Sequence, residues 1–144
     1  MAVGLGVDGS ASTDAASLWL EARQALLMAR YRCGPAAFSA RDALELATLG
    51  GAACLGRTGE LGLLAPGAAG DLVCWPVDDL SFAGAHTDLV EAWLRCGPLA
   101  ARHTVVAGRV LVEDAALVHA GVAAARRTHD RVSRRLQGVA GRPY

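Results

Sequence analysis

A single carboxylate, Asp8, is the residue of this chain best placed to take part in chemistry. It directly follows Val3–Val7, an apolar run that predicts one buried strand of the parallel-sheet type. Gly9 and Ser10 interrupt the run, so Asp8 stands where a strand ends and a loop begins. Loops at strand ends often carry functional groups. The residue types leave two interpretations open: a functional carboxylate, or a cap that binds the N–H groups of Ser10 or Ala11.

The glycines around Asp8 match a dinucleotide-binding pattern only formally. The segment Gly4–Gly9 fits G-x-G-x-x-G, but such a site requires a full strand before the first glycine and a helix that opens at the motif. Here three residues precede Gly4, and a polar loop follows the run. We therefore interpret the match as accidental.

Histidine and cysteine form no metal-binding pattern in this sequence. Neither H-x-H nor H-E-x-x-H occurs among the four histidines, and no C-x-x-C pair occurs among the four cysteines. We expect surface or packed histidines and buried thiols that act as small hydrophobes. The residues concerned are His86, His103, His119 and His129, and Cys33, Cys54, Cys74 and Cys96. Of these, His86 is the most interesting, since His86-Thr87-Asp88 could cap a turn or line a site.

Composition bounds the class of protein. The chain has 144 residues, of which 53% are apolar, and this is enough for one domain with a sizeable core. The formal net charge is zero, which argues against nucleic acid or an anionic membrane as a partner. The longest uncharged stretches have eleven residues, against about 20 for a membrane span. With no secretory signal in view, we expect a soluble, cytoplasmic protein.

Helical and β-rich segments alternate around these residues. We expect a helix over Ala16–Arg32, a capping box at Ser39–Asp42 and a second helix over Ala40–Leu49, ended by Gly50-Gly51. From Arg57 the chain becomes β-rich. We further predict a strand at Asp71–Val77 and a hairpin of Thr104–Ala107 with Arg109–Val112. The segment Asp88–Cys96 is ambiguous between helix and strand. We expect a last helix over Val122–Leu136. The arginines of this last helix are interpreted as a solvated face, not as an RNA-binding one.

Three longer segments carry a resemblance to a known family. GLGVDGSASTD, LWLEARQALLMAR and SARDALELATLGGAACLGR resemble the C-terminal third of metal-dependent amidohydrolases. Within them, the chain looks most like the group of 8-oxoguanine deaminase and hydroxyatrazine hydrolase. GELGLLAPGAAGDLVCW resembles the family's G-x-L-x-x-G-x-x-A-D-L-V-x-W segment, and the resemblance continues to about Val118.

The resemblance implies an α/β fold that is incomplete as a domain. Residues 1–56 would be the C-terminal end of a (β/α)8 barrel, of the TIM type, with Val3–Val7 as the eighth strand. Residues 57–120 would form the C-terminal half of a small β-sandwich, and residues 121–144 a terminal helix with its tail. One parallel strand cannot make a sheet, so the remaining strands would lie outside this chain.

The resemblance also assigns roles to the loop after the first strand. Asp8 would bind a divalent metal, expected to be zinc, and would move a proton between the metal-bound water and the leaving ammonia. Ser10 and Ser12 would lie beneath a purine- or triazine-like heterocycle that loses its amino group. The family's metal-binding histidines precede this strand, so we expect the chain alone to be inactive, with its partner a second copy or the N-terminal part of the enzyme. The alternative is a non-catalytic α+β association module that dimerises or completes another chain.

The sequence departs from the family pattern at three places. Thr13 stands where Asn is expected, and Ala68–Asp71 replaces the commoner Lys-Ala-Ala-Asp. Ala107-Gly108 replaces the Asn-Gly that suits a two-residue hairpin. If Ala107 adopts a left-handed conformation, we expect a cost of about 1 kcal/mol.

Overall fold

The computed structural model of this chain describes residues 1–9, 12 and 15–138. A group of helices comes first, then a small antiparallel sheet interrupted by one helix, and finally a long helix. The helices are α1 (Leu18–Cys33), α2 (Ala40–Glu45), α3 (Gly51–Cys54), α4 (Leu89–Cys96) and α5 (Val122–Leu136). The strands are β1 (Leu72–Cys74), β2 (His103–Val106), β3 (Arg109–Glu113) and β4 (Ala116–Leu117). A π-helical turn (Leu46–Gly50) joins α2 to α3, and a 3-10 turn (Leu80–Phe82) precedes α4.

The core lies where α1, α2 and α4 meet. Alanines on α1 and α2 allow these helices to approach closely, and large side chains of α1 and α4 fill the space that remains. Leu5, from the N-terminal segment, packs against this cluster. The buried members are Trp19, Ala22, Leu26, Ala40, Ala43 and Leu94.

Side-chain caps define where two of the helices begin. The predicted capping box is confirmed: Ser39 Oγ accepts the N–H of Asp42 at 3.2 Å, and Asp42 Oδ2 accepts the N–H of Ser39 at 2.7 Å. The ambiguous segment before Cys96 is a helix because Asp88 Oδ1 accepts the N–H groups of Val90 and Glu91.

The sheet has the strand order β1-β2-β3-β4, and every neighbouring pair is antiparallel. The predicted hairpin is confirmed, since β2 and β3 are joined by Ala107 at φ 49° and Gly108 at φ 74°. Positive φ at both residues is the conformation of the tight turn whose twist matches the flanking strands. The predicted strand at Asp71–Val77 is shorter in the structure, spanning Leu72–Cys74. Pro76, which lacks an N–H, follows soon after.

The strand predicted at Val3–Val7, taken as the eighth barrel strand, is not formed in this chain. In the part of the chain that the structure describes, this segment belongs to no sheet. Its backbone link to another element is one hydrogen bond from Leu5 N–H to Leu46 O at 3.3 Å. A strand needs a neighbouring strand to receive its N–H and C=O groups, and the nearest element here is the π-helical turn.

The helix predicted over Ala40–Leu49 does not stop at Gly50-Gly51. It widens into the π-helical turn and continues as α3, with Gly50 and Gly51 both at helical φ near −60°. The expectation of buried thiols is also wrong for this chain, because Cys33, Cys54 and Cys74 are exposed.

The last helix, α5, spans the predicted residues Val122–Leu136. It buries none of its side chains in the described structure. No helix among residues 1–9, 12 and 15–138 has the length and apolar character to cross a membrane.

Candidate functional site

Asp8 follows the N-terminal segment Val3–Val7, three residues after Leu5. Its φ of 53° places it in the left-handed region, where Asp is tolerated better than most residues. The side chain is exposed. The chain turns directly afterwards, with the N–H of Ser12 donating to Gly9 O at 2.9 Å. The sequence predicted that Asp8 stands where a strand ends and a loop begins; the strand is not formed among the described residues, whereas a turn does follow Asp8.

Two contacts near Leu5 fix the segment that leads to Asp8. The side chain of Leu5 packs against the helical core, and its N–H donates to Leu46 O at 3.3 Å. Val3 and Gly4 pass close to the backbone of Gly50 and Gly51. Asp8 is thus held at three residues' distance from a packed anchor.

The carboxylate of Asp8 differs in its contacts from other acids of the described residues. Within residues 1–9, 12 and 15–138 it makes neither a hydrogen bond nor an ion pair, whereas acids such as Asp42, Asp88 and Glu91 are engaged. The alternative that Asp8 caps Ser10 or Ala11 falls on residues outside the described ones. Ser12 is exposed, and Ser10 lies outside the described residues, so their role beneath a substrate stays a prediction.

A single carboxylate fits a metal as one ligand of a larger set. Carboxylate oxygen is an accepted ligand of zinc, but a catalytic zinc usually has three protein ligands. No group of three or more His, Cys, Asp or Glu residues with metal-binding geometry occurs in the described portion of the chain. Asp8 can therefore contribute to a metal centre only with ligands that these residues do not provide.

The other candidate, His86-Thr87-Asp88, has a structural role. His86 Nε2 lies 3.1 Å from Val77 O, and Asp88 caps α4. The N–H of Glu91, followed by that of Val90, lowers the pKa of Asp88 because these donors stabilise its charged form. These contacts hold the loop before α4.

The sequence did not reveal that the backbone near Gly4 closely approaches Gly50 and Gly51. Gly50-Gly51 was interpreted as a helix stop, while in the structure Gly50 allows the helix to touch the Val3–Gly4 backbone. A signal was present: the apolar, helix-compatible residues Ala52–Leu55 follow the glycines without a turn residue. A glycine inside a continuing helix usually marks a close approach.

Comparison with known proteins decides the family. The model of the amidohydrolase family matches residues 1–111, which include the whole Asp8 segment and the helical core. This chain belongs to the amidohydrolase family. The resemblance read from the sequence is thereby confirmed.

Three relatives illustrate how similar this amidohydrolase chain is to characterised members. An 8-oxoguanine deaminase from Pseudomonas aeruginosa is 45% identical over 115 residues, which are 80% of this chain and 25% of the relative. A 5-methylthioadenosine/S-adenosylhomocysteine deaminase from Nitratidesulfovibrio vulgaris is 34% identical over 115 residues, or 79% of this chain and 26% of the relative. The crystal structure of atrazine chlorohydrolase from Arthrobacter aurescens, complexed with zinc, superposes with a TM-score of 0.78 at 37% identity, covering 92% of this chain and 29% of that one.

The amidohydrolase chain spans about a quarter of the length of the curated relatives that it matches. Its helical core and small sheet correspond to a part of those proteins. Their names nevertheless share one theme, since both curated relatives are deaminases.

Proposed function

We propose that this chain supplies Asp8 as a metal ligand and proton carrier to an amidohydrolase that deaminates a purine- or triazine-like heterocycle. The observation that supports the proposal most is the family match, which begins at residue 1 and spans the Asp8 segment. The exposure of Asp8, whose carboxylate has no partner among the described residues, is consistent with it. In the intact enzyme, Val3–Val7 would pair as the last strand of a (β/α)8 barrel, where catalytic groups sit at the C-terminal strand ends.

The reaction divides the work between the metal and the protein. A bound divalent metal, zinc in this proposal, supplies the Lewis acidity that makes water nucleophilic near neutral pH. An Asp8 Oδ atom accepts the proton that this water loses when it attacks the amino-bearing ring carbon. The same oxygen then donates that proton to the departing nitrogen, which leaves as ammonia. Ser10 and Ser12 are proposed to contact the heterocycle from the turn that follows Asp8.

The remaining metal ligands must come from outside the described residues. We propose that histidines provided by another segment or chain complete the site, and that the 144 residues alone do not turn over substrate. One carboxylate cannot hold a catalytic metal at useful affinity, because such sites need about three protein ligands.

A chimera tests the proposed function. The matched region of the Pseudomonas aeruginosa 8-oxoguanine deaminase would be replaced by the corresponding 115 residues of this chain, with zinc present during purification. We expect ammonia release from 8-oxoguanine. Asp8→Asn should lower kcat by at least about 100-fold, the lower end of the effect of general acid–base groups.

An exposed carboxylate on the loop before α4 provides the matched control. Asp78→Asn removes a surface charge as Asp8→Asn does, and it should leave kcat within twofold. A chimera that retains its activity with Asp8→Asn would refute the assigned role. Turnover by the isolated 144-residue chain above an Asp8→Asn control would refute the prediction that it is inactive alone.

Exposed apolar side chains favour a second candidate, a non-catalytic association module. Leu27 and Met28 on α1 are 55% and 52% exposed, and Val3 is 49% exposed. Size-exclusion chromatography with light scattering separates the candidates. A stable dimer that persists in dilute solution, together with an inactive chimera, would support the module, whereas an active chimera supports the enzyme.

A further inference from the structure

We propose that the π-helical turn Leu46–Gly50, through Gly50, is a positioning device that fixes where the Asp8 carboxylate stands. The inference rests on the proposed role of Asp8 as a metal ligand, and it assigns a task to residues that do not touch the metal or substrate themselves. Isolated π-helical turns are rare and occur frequently at functional sites.

The first observation is a backbone contact that only glycine permits. A methyl group at Gly50 would overlap the carbonyl oxygen of Val3. A methyl group at Gly4 would lie 2.9 Å from both the Cα and the N of Gly51, closer than real side chains approach backbone. The missing side chains of Gly4 and Gly50 therefore allow the N-terminal segment to lie directly on the turn and the start of α3.

The second observation is that the turn itself is held from the other side. Gly62, at φ 78°, packs so closely that a methyl group there would lie 2.7 Å from the carbonyl carbon and oxygen of Thr48. The hydroxyl of Thr48 donates to Leu44 O at 2.7 Å and ties the turn back to α2. The turn thus has close backbone contacts with both Gly62 and the Val3–Gly4 segment.

The third observation is the short path from this contact to Asp8. The hydrogen bond from Leu5 N–H to Leu46 O ends the anchored part, and three residues later the chain reaches Asp8. Three residues span at most about 10 Å, so a displacement of the anchor is passed on with little chain to absorb it. A metal site tolerates ligand displacements of only about 0.5 Å. The contact of Val3 and Gly4 with Gly50 and Gly51 is therefore well placed to set the ligand position.

Nuclear magnetic resonance on the whole 144-residue chain tests the inference without any metal. Gly50→Ala should shift the amide signals of Asp8 and Gly9 and accelerate hydrogen exchange at the Leu5 amide at least tenfold. The amides of Ala22, Leu26 and Leu94 in the core should be unaffected. Gly51→Ala is the matched control, because nothing lies within 4 Å of a methyl group there and its φ of −59° is helical.

A second pair of variants changes the N-terminal segment instead of the π-helical turn. Gly4→Ala should shift the same Asp8 signals, whereas Gly6→Ala should not shift them through this contact, since nothing lies within 4 Å of its added methyl group. If neither Gly50→Ala nor Gly4→Ala moves the Asp8 signals, the inference is overturned. If both variants fail to fold, the unmodified chain provides the test. Fast exchange of the Leu5 amide, together with no cross-peak between the Gly4 and Gly51 α-protons, would overturn the inference. A protected Leu5 amide and an observed cross-peak would support it.

These measurements are independent of the proposed reaction. An inactive Pseudomonas aeruginosa chimera combined with Asp8 signals that respond to Gly50→Ala would refute the function and leave the positioning role standing. If the chimera is active but the Asp8 signals do not change in Gly50→Ala, only the positioning role would be refuted.

Discussion

Asp71 Oδ1 accepts the backbone N–H of Ala107 at 2.7 Å, across 36 residues of sequence. The N–H of Gly108 donates to Gly70 O at 2.9 Å, so the two residues that precede β1 hold both residues of the β2–β3 turn. These two bonds fix the turn although Ala107 sits at φ 49°, where its Cβ is strained.

Relieving that strain should stabilise the chain. Ala107→Asn keeps the N–H that Asp71 binds and places at the left-handed position a residue that tolerates it. We expect the free energy of unfolding to rise by about 1 kcal/mol, measured by urea denaturation. The control is Ala37→Asn, at an exposed loop position whose φ is not positive, where we expect a change within about 0.5 kcal/mol. An equal gain at both positions would show that the gain comes from Asn and not from the turn.

Glu91 joins three helices, and its removal should loosen them. Its Oε1 accepts the N–H of Ala40 at the start of α2 at 2.9 Å and lies 3.4 Å from Arg30 Nη2 on α1. Glu91→Ala leaves the N–H of the buried Ala40 without a partner, so we expect a loss of about 1–3 kcal/mol in the free energy of unfolding.

Glu91→Gln separates the hydrogen bond from the charge. The amide oxygen still accepts the N–H of Ala40, so urea denaturation should show a smaller loss than for Glu91→Ala. Equal losses in the two variants would mean that the ion pair with Arg30, not the bond to α2, stabilises the structure.

The carboxylates that cap the helices should make the folded chain less stable in acid. The N–H groups of Glu91 and Val90 lower the pKa of Asp88, and the Ser39 side chain and N–H lower that of Asp42. When folding lowers the pKa of a carboxyl group, its ionised form stabilises the folded state. This stabilisation is fully present above the pKa of the unfolded chain, about 3.9, and is lost as the pH falls through the pKa of the folded state. The Tm of thermal unfolding should therefore be nearly constant from pH 7 to about pH 5 and should fall below about pH 4.

An amide at position 88 tests the origin of that weakening. Asp88→Asn still caps α4 through its oxygen but does not titrate, so the fall in Tm below about pH 4 should be shallower than in the unmodified chain. Asp78→Asn, an exposed neighbour, is the control and should retain the original slope. A steep fall that persists in Asp88→Asn would assign the acid sensitivity to other carboxylates.

Leu94 closes the helical core and should dominate its stability. It is fully buried against α1 and α2, and truncation leaves a cavity that rigid helices fill poorly. We expect Leu94→Ala to lower the free energy of unfolding by about 2–5 kcal/mol, measured by denaturant titration. Leu89→Ala on the same helix is the control, because Leu89 is 50% exposed and its loss should be well under half as large. Similar losses would argue against the buried position of Leu94.

The elements that the sequence predicted best are those stabilised by near neighbours. The capping box joins Ser39 to Asp42 within one turn, and the β2–β3 hairpin needs only Ala107 and Gly108 between its strands. The family of the chain could likewise be read from continuous segments.

The elements that the sequence missed depend on distant partners. Val3–Val7 has the apolar residues of a strand, but pairing requires a neighbour that local sequence does not specify. Gly50 was interpreted as a helix stop because its reason for being glycine, the Val3 carbonyl, lies 47 positions earlier in the chain. The exposure of Cys33 and Cys74 could not be foreseen for the same reason, since burial is a property of what packs nearby.

The lack of buried side chains on the last helix, α5, has a consequence for the order in which the chain unfolds. A helix of 15 residues is marginally stable in water unless packing adds to it, and α5 buries no side chain. Its opening should therefore cost almost no free energy, whereas opening of α1 or α4 requires breaking the core. Since α5 carries five of the arginines, brief exposure to trypsin should remove it first and leave the helices and sheet before Val122 intact.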